Sequence, residues 1–363
     1  MKIRKHLESL PAYTPIEPFE VLSARIGRSP DQIVKLDANE NPYGPLPVVR
    51  EAVGKMEFPH IYPDPESRAL RRSLAKFTGI DEEYLLAGQG ADELIDLLMR
   101  VFLDPNDCIL SCPPTFGMYS FDAEFNAASC IEIPRRADFS LDMDGIRKAV
   151  ETHQPKLFFI TSPNNPDGSL IDSKTMDELL SLPTLIVLDE AYIEFAGDDL
   201  GANLSRIREV PMRENLIVLR TFSKWAGLAG LRIGYGAFPL WLMPTLWKSK
   251  QPYNVNVAAS TAAQVSLEHT DELKKVVELL KEERARLFKA LQEIPYIKPY
   301  PTQSNFILCQ VVGRDAAELK ARLAQEHGVF IRYFNKPGLR DHIRISVGRP
   351  QDTDVLAEAL KNL

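Results

Sequence analysis

The chain has 363 residues, 45% of them hydrophobic, which is enough to bury a large core and to divide into two domains. Its formal net charge is −7 and no basic stripe appears, which argues against nucleic acid as a partner. Four cysteines (Cys108, Cys112, Cys130, Cys309) suggest a reducing compartment and no disulfide framework, and the six scattered histidines fall into no metal-ligand spacing.

The first residues, Met1-Lys2-Ile3-Arg4-Lys5-His6, lack the apolar core of a secretion signal. We expect a cytoplasmic protein, or a plastid one whose transit peptide has been removed. Prolines crowd the stretch before residue 66 (Pro11, Pro15, Pro18, Pro42, Pro45, Pro63, Pro65), so residues 1–40 read as an extended arm that packs on another surface. From there to about residue 255 strand-like runs alternate with helical ones, the pattern of a mostly parallel sheet covered on both faces. We place the larger domain at 41–265 and a smaller α/β domain at 266–363, packed with the arm.

Within the larger unit, the turn Gly88-Gln89-Gly90-Ala91-Asp92-Glu93 opens an amphipathic helix over 94–102. Free amides and the positive end of the helix dipole make such a start an anion site. The buried-strand run 157–161 leads into Ser162-Pro163-Asn164-Asn165-Pro166-Asp167-Gly168, and 185–188 is followed at once by Asp189-Glu190-Ala191-Tyr192. The aliphatic run 216–219 ends in Thr221-Phe222-Ser223-Lys224. The most apolar stretch, 226–247, is interrupted by Arg232, Pro239 and Pro244, so no membrane span is expected. A long charged helix follows over 271–293, with Leu273, Val276, Leu280, Leu287 and Leu291 spaced for one buried face. Strands at 305–308 and 342–347, with a helix at 316–326 between them, complete the smaller domain.

Open α/β sheets bind ligands past the carboxyl ends of their strands, where Lys224, Asp189 and Asn165 all fall. A desolvated lysine there has a lowered pKa and attacks carbonyls. A phosphate cradle, an acid, an amide, a phenol and an amine together are what pyridoxal 5′-phosphate needs. Lysine holds the aldehyde, aspartate keeps the ring nitrogen protonated, and asparagine and tyrosine bind the phenolic oxygen. Each element also has a bland reading: Asp189 as a helix cap, Asn165-Pro166 as a plain turn, Gly90 as a tight loop. Their coincidence in this order favours one shared site.

The pattern resembles the fold-type I aminotransferases over nearly the full length, and within them the histidinol-phosphate branch. The resemblance rests on Leu36-Asp37-Ala38-Asn39-Glu40-Asn41-Pro42-Tyr43-Gly44-Pro45, Tyr62-Pro63-Asp64-Pro65, Cys112-Pro113-Pro114-Thr115-Phe116-Gly117-Met118-Tyr119, and the lysine motif through Gly234. It implies that Lys224 carries the cofactor and moves the proton, with Asp189 on the ring nitrogen. Asn165 and Tyr192 would bind the ring oxygen, and Phe116, where the family often has tyrosine, would stack on the ring. Gly90 and the amides of Ala91 and Asp92, with Ser223 and Arg232, would hold the phosphate. Tyr62 would reach the neighbouring subunit's cofactor, making a homodimer the functional unit. Tyr13, Asn41, Arg332 and Arg344 would bind substrate. The implied substrates are histidinol phosphate, glutamate and 2-oxoglutarate, whose anions suit fixed guanidinium forks. Asp167 replaces a threonine common in the family turn, with no chemical consequence expected. A decarboxylase acting on threonine phosphate, an aromatic-amino-acid aminotransferase, and a ligand-sensing regulator are the alternatives on the same scaffold.

Overall fold

A computed structural model describes residues 2–11 and 17–363. Twelve strands are present among them, and they fall into two sheets. Strand β1 (Val34–Leu36) opens the chain's regular structure. Then come β2 (Leu85–Gly88), β3 (Cys108–Ser111), β4 (Ser129–Glu132), β5 (Leu157–Thr161), β6 (Leu185–Asp189), β7 (Leu216–Thr221) and β8 (Gly234–Ala237). These seven form one sheet in the order β2-β8-β7-β6-β5-β3-β4, with β8 antiparallel to both its neighbours and the other pairs parallel.

The central strands β5, β6 and β7 are buried along their whole length, as their unbroken aliphatic and aromatic composition requires. Helices cover both faces, so one side of the sheet packs with Leu70, Leu74 and Trp225 and the other with Leu94, Leu98 and Tyr119. A parallel stack aligns the carboxyl ends of its strands. Here Thr161 lies opposite Asp189, which lies opposite Leu219, so the loops that leave β5, β6 and β7 emerge at one edge.

The second sheet contains β9 (Ile297–Pro299), β10 (Phe306–Val311), β11 (Val329–Tyr333) and β12 (His342–Ser346), with β1 added parallel to β11. Part of the expected arm is therefore woven into this sheet. Leu22, on the helix Phe19–Ile26, packs with Ile33, Ala324 and Phe330 on the same unit. The long helix Thr270–Gln292 precedes the small sheet and buries Leu273, Val277, Leu280, Leu287 and Leu291. Val277 takes the place expected for Val276, which sits at the margin of the buried stripe. Both valines fit the stripe by spacing, and Val276, half-buried, still packs against the same core as Val277.

Residues 37–41 pass between the two units and stitch them together. The Asn39 amide donates to Ser346 Oγ (2.8 Å), and the Asn305 side chain donates to Asn39 O (2.9 Å). Among the described residues no helix is long and apolar enough to cross a membrane, and no group of His, Cys, Asp and Glu could hold a metal.

Candidate active site

Asp189 is the last residue of β6 and is 4% exposed. Its Oδ2 accepts a hydrogen bond from the Tyr119 hydroxyl at 2.6 Å, and its Oδ1 accepts from the Ala191 amide at 3.0 Å. Burial pushes its carboxyl up to about 6, against the pull of those two donors. Tyr119 in turn lies 2.9 Å from Thr161 Oγ1 and stacks on Phe159. Burial and the nearby Asp189 charge drive the Tyr119 phenol well above its ordinary value, so it stays protonated and donates.

Lys224 follows β7 and its Nζ donates to Ala38 O at 3.2 Å. Desolvation is the main cause that brings its amine down to about 8, with the Arg344 guanidinium acting in the same direction. An amine at that level is still mostly protonated at pH 7 but gives up its proton far more readily than a free lysine, which supplies the neutral form that attacks a carbonyl or takes a proton.

The candidate phosphate cradle lies where the helix Gly90–Phe102 begins beside Arg232. Helix geometry leaves the first-turn amides of Gly90, Ala91 and Asp92 without intrahelical partners. Gly90 has φ +76°, and a β-carbon there would stand 2.7 Å from Arg232 Nη2, so glycine is what lets the guanidinium close over the helix start. Arg232 Nη2 also donates to Asp92 Oδ2 at 2.8 Å. Ser223 faces the same region, its Oγ accepting from Thr221 Oγ1 at 2.8 Å.

Asn165, Tyr192 and Arg344 converge from three elements. Arg344 Nη1 donates to Asn165 Oδ1 at 2.6 Å, and its Nη2 donates to Asp37 O at 2.9 Å. Tyr192, buried against the edge of Phe306, accepts a hydrogen bond from Asn39 Nδ2 at 3.0 Å. Arg332 lies directly opposite Arg344 in the β11/β12 register, so both side chains leave the same face of the sheet. Both guanidiniums lie within 6 Å of the Phe334 ring, at 5.9 and 5.7 Å. Phe116 is half-buried and meets Tyr119 edge-on.

The structure thus brings Lys224, Asp189, Tyr192, Asn165, Ser223, Arg232, Phe116, Arg344 and Arg332 to the carboxyl edge of the large sheet and the adjoining face of the small one. Asn41, expected to contact substrate, is held here by protein groups. Its Nδ2 donates to Trp225 O (3.0 Å) and its Oδ1 accepts from the Tyr43 amide (3.0 Å), so it pins the loop that carries Lys224. Tyr62 stands apart, 79% exposed and stacked on Tyr253 with ring centroids 4.7 Å apart. Tyr13 lies outside the described residues. Asp167 is structural: it is buried, accepts from the Asn164 side chain and from the Ser169 amide, and so fixes the turn that presents Asn165.

Sequence reasoning gave no role to Tyr119 or Asn39, the donors that fix Asp189 and Tyr192. Asn39 has φ +55°, a conformation that asparagine tolerates, and that was its one local signal.

Residues 31–360 match the family model described as aminotransferase class I and II. The chain belongs to this family. It is 56% identical over 361 residues to a chloroplastic histidinol-phosphate aminotransferase of Nicotiana tabacum, covering 99% of this chain and 86% of that one. It is 48% identical to the histidinol-phosphate aminotransferase of Roseiflexus castenholzii, over 99% of this chain and 98% of the relative. A crystal structure of histidinol-phosphate aminotransferase from Sinorhizobium meliloti, in complex with pyridoxal 5′-phosphate, superposes with a TM-score of 0.90 at 28% identity, covering 99% of this chain and 98% of that one. The donor set fits that cofactor: amine, buried acid, ring-oxygen partners, and a glycine-bounded anion cradle under an arginine.

Proposed function

We propose that the chain transfers the amino group of L-glutamate to imidazole-acetol phosphate, giving 2-oxoglutarate and L-histidinol phosphate, the histidine-biosynthesis step, and catalyses the reverse. The names of its full-length relatives support this reading. The observation that carries it is the cross-strand pair Arg332 and Arg344, two cations on one face, of which Arg344 acts on Lys224. Glutamate brings two carboxylates and histidinol phosphate one phosphate, and a paired guanidinium site serves both in alternate half-reactions.

When bound, pyridoxal 5′-phosphate supplies an aldehyde for amines and a protonated ring that takes up the electrons of the breaking Cα–H bond. Lys224 provides the amine and holds or returns the proton at Nζ. Asp189 supplies the negative charge that keeps the ring nitrogen protonated, and that cation in turn favours its ionised form. Tyr192 and Asn165 hydrogen-bond the ring oxygen, and Phe116 covers the ring face. The amides at Gly90, Ala91 and Asp92, with Ser223 and Arg232, hold the phosphate. Arg344 binds the α-carboxylate of glutamate, and Arg332 reads the far anion.

We further propose a homodimer, supported by the exposed apolar group Phe58, Ile61, Tyr62 and Tyr253. A reducing compartment, cytoplasm or plastid, suits the four free cysteines. The L-threonine-O-3-phosphate decarboxylase of Porphyromonas gingivalis shares the fold, with a TM-score of 0.80 at 24% identity. Adding single amino donors to the purified holoenzyme separates the readings. Histidinol phosphate, and not phenylalanine, should aminate the cofactor as read by its absorbance, with no carbon dioxide released from threonine phosphate. Equal response to phenylalanine would overturn the substrate assignment.

A further inference from the structure

The strands that carry the two arginines are joined by residues 334–341, and this connection carries a third cation to the Phe116–Gly117 turn of the large domain. Lys336 lies on it, exposed, and reaches from the small sheet to the large domain. Its Nζ stands 3.1 Å from the point a β-carbon on Gly117 would occupy, and beyond the adjoining chain no other atom lies within 4 Å of that point. Gly117 directly follows Phe116, the ring that closes the cofactor site. Among the described residues no hydrogen bond or ion pair engages the Lys336 ammonium. Arg344, by contrast, already donates to Asn165 and to a backbone carbonyl.

We propose that Lys336 is a further specificity-determining residue, whose ammonium takes the phosphate of the substrate between Arg332 and Phe116 and so selects phosphate-bearing amines over phosphate-free ones. The inference rests on the substrate reading above. A phosphate carries close to two negative charges at neutral pH and has oxygens to spare after one guanidinium fork is filled. Lysine adds a compact point charge on a flexible stem, suited to a mouth that must also admit glutamate. Gly117 is the complementary half of the arrangement, because a side chain there would crowd the ammonium.

The test compares histidinol phosphate with histidinol in the wild-type holoenzyme and in Lys336→Met, Lys336→Arg and Gly117→Ala. Lys336→Met should lower kcat/KM for histidinol phosphate roughly fivefold to tenfold, mostly through KM, the scale of an exposed charge meeting a dianion. Histidinol should change by less than about twofold, and the salt dependence for histidinol phosphate should become shallower. Lys336→Arg should restore most of the loss. Gly117 has φ −74°, which alanine accepts, so Gly117→Ala should give a smaller loss in the same direction. It should add nothing in the Lys336→Met background, because both changes remove one contact. Equal losses for both substrates in Lys336→Met, or none for histidinol phosphate, would overturn the proposal alone. A wild-type enzyme that treats the two substrates alike would overturn the substrate reading as well.

Discussion

Two donors oppose the desolvation of Asp189, and one of them, Tyr119, comes from a helix 70 residues earlier in the chain. Removing its hydroxyl in Tyr119→Phe leaves the ring stacking intact but raises the Asp189 pKa further, because an interaction that favoured the ionised form is gone. Turnover needs the carboxylate, so activity falls as pH drops through that pKa. The acid limb of the kcat/KM profile should therefore move to higher pH in the variant. The loss should grow as pH falls, and a parallel drop at every pH would refute the assignment. At the other end of the pocket, Arg332→Leu leaves the far anion of the substrate unpaired. Loss of one partner from a buried, hydrogen-bonded charge pair costs about 2–5 kcal/mol, roughly 30-fold or more in binding. Histidinol phosphate and glutamate should both suffer while phenylalanine does not, as kcat/KM for the three donors will tell. Residues with their own local pattern, Lys224, Asp189 and Arg232, could be placed from the sequence at the strand ends and helix start where the structure has them. Tyr119 and Asn39 were not, because their hydrogen-bond partners lie 70 and 153 residues away and only the fold supplies them.

Elements were easier to read where periodicity is strong. The buried strands β5, β6 and β7 and the long helix before the small sheet stand out because nothing but a two-faced sheet or a one-faced helix fits their patterns. Val276 packs at the edge of that helix's stripe as its spacing implies, while the adjacent Val277 is buried more fully, a choice that only packing makes. Strand β1 was missed because three residues carry no period of their own, and its pairing with β11 depends on a segment almost 300 positions away. The cradle helix was placed four residues late: polar Asp92 and Glu93 read as turn, although acids in a first helical turn favour the dipole. Its start makes a sharp prediction. Gly90→Ala imposes φ +76° on a residue with a β-carbon and drives that carbon into Arg232. The backbone strain alone costs on the order of 1–3 kcal/mol. Cofactor affinity should fall by tenfold or more, measured by absorbance titration of the cofactor-free protein, with the secondary structure unchanged by circular dichroism. Undiminished affinity would place the phosphate elsewhere.

For the whole molecule, the question is whether one chain completes a site. Among the described residues Tyr62 is the most exposed of the large apolar side chains, yet it is stacked on Tyr253, whose neighbour Asn254 is tied to the cradle helix through Glu93 and through the Gln89 side chain. The apolar group therefore borders the cradle, and a second copy that covers it would bring its own Tyr62 toward the phosphate. Covering four such side chains removes apolar surface from water and so favours association at this place. This geometry predicts complementation between two defective variants. Tyr62→Ala must first be shown to be strongly impaired alone, and Lys224→Ala lacks the amine and is inactive. After dissociation and re-association, a mixed dimer holds one site built from an intact Lys224 and an intact partner tyrosine. About a quarter of wild-type activity should return in an equal mixture, because half the dimers are mixed and each has one working site of two. Mass measurement of the re-associated sample verifies that mixed dimers form. If they form and no activity returns, Tyr62 serves its own subunit or no site, and the dimer is then a matter of stability and not of catalysis.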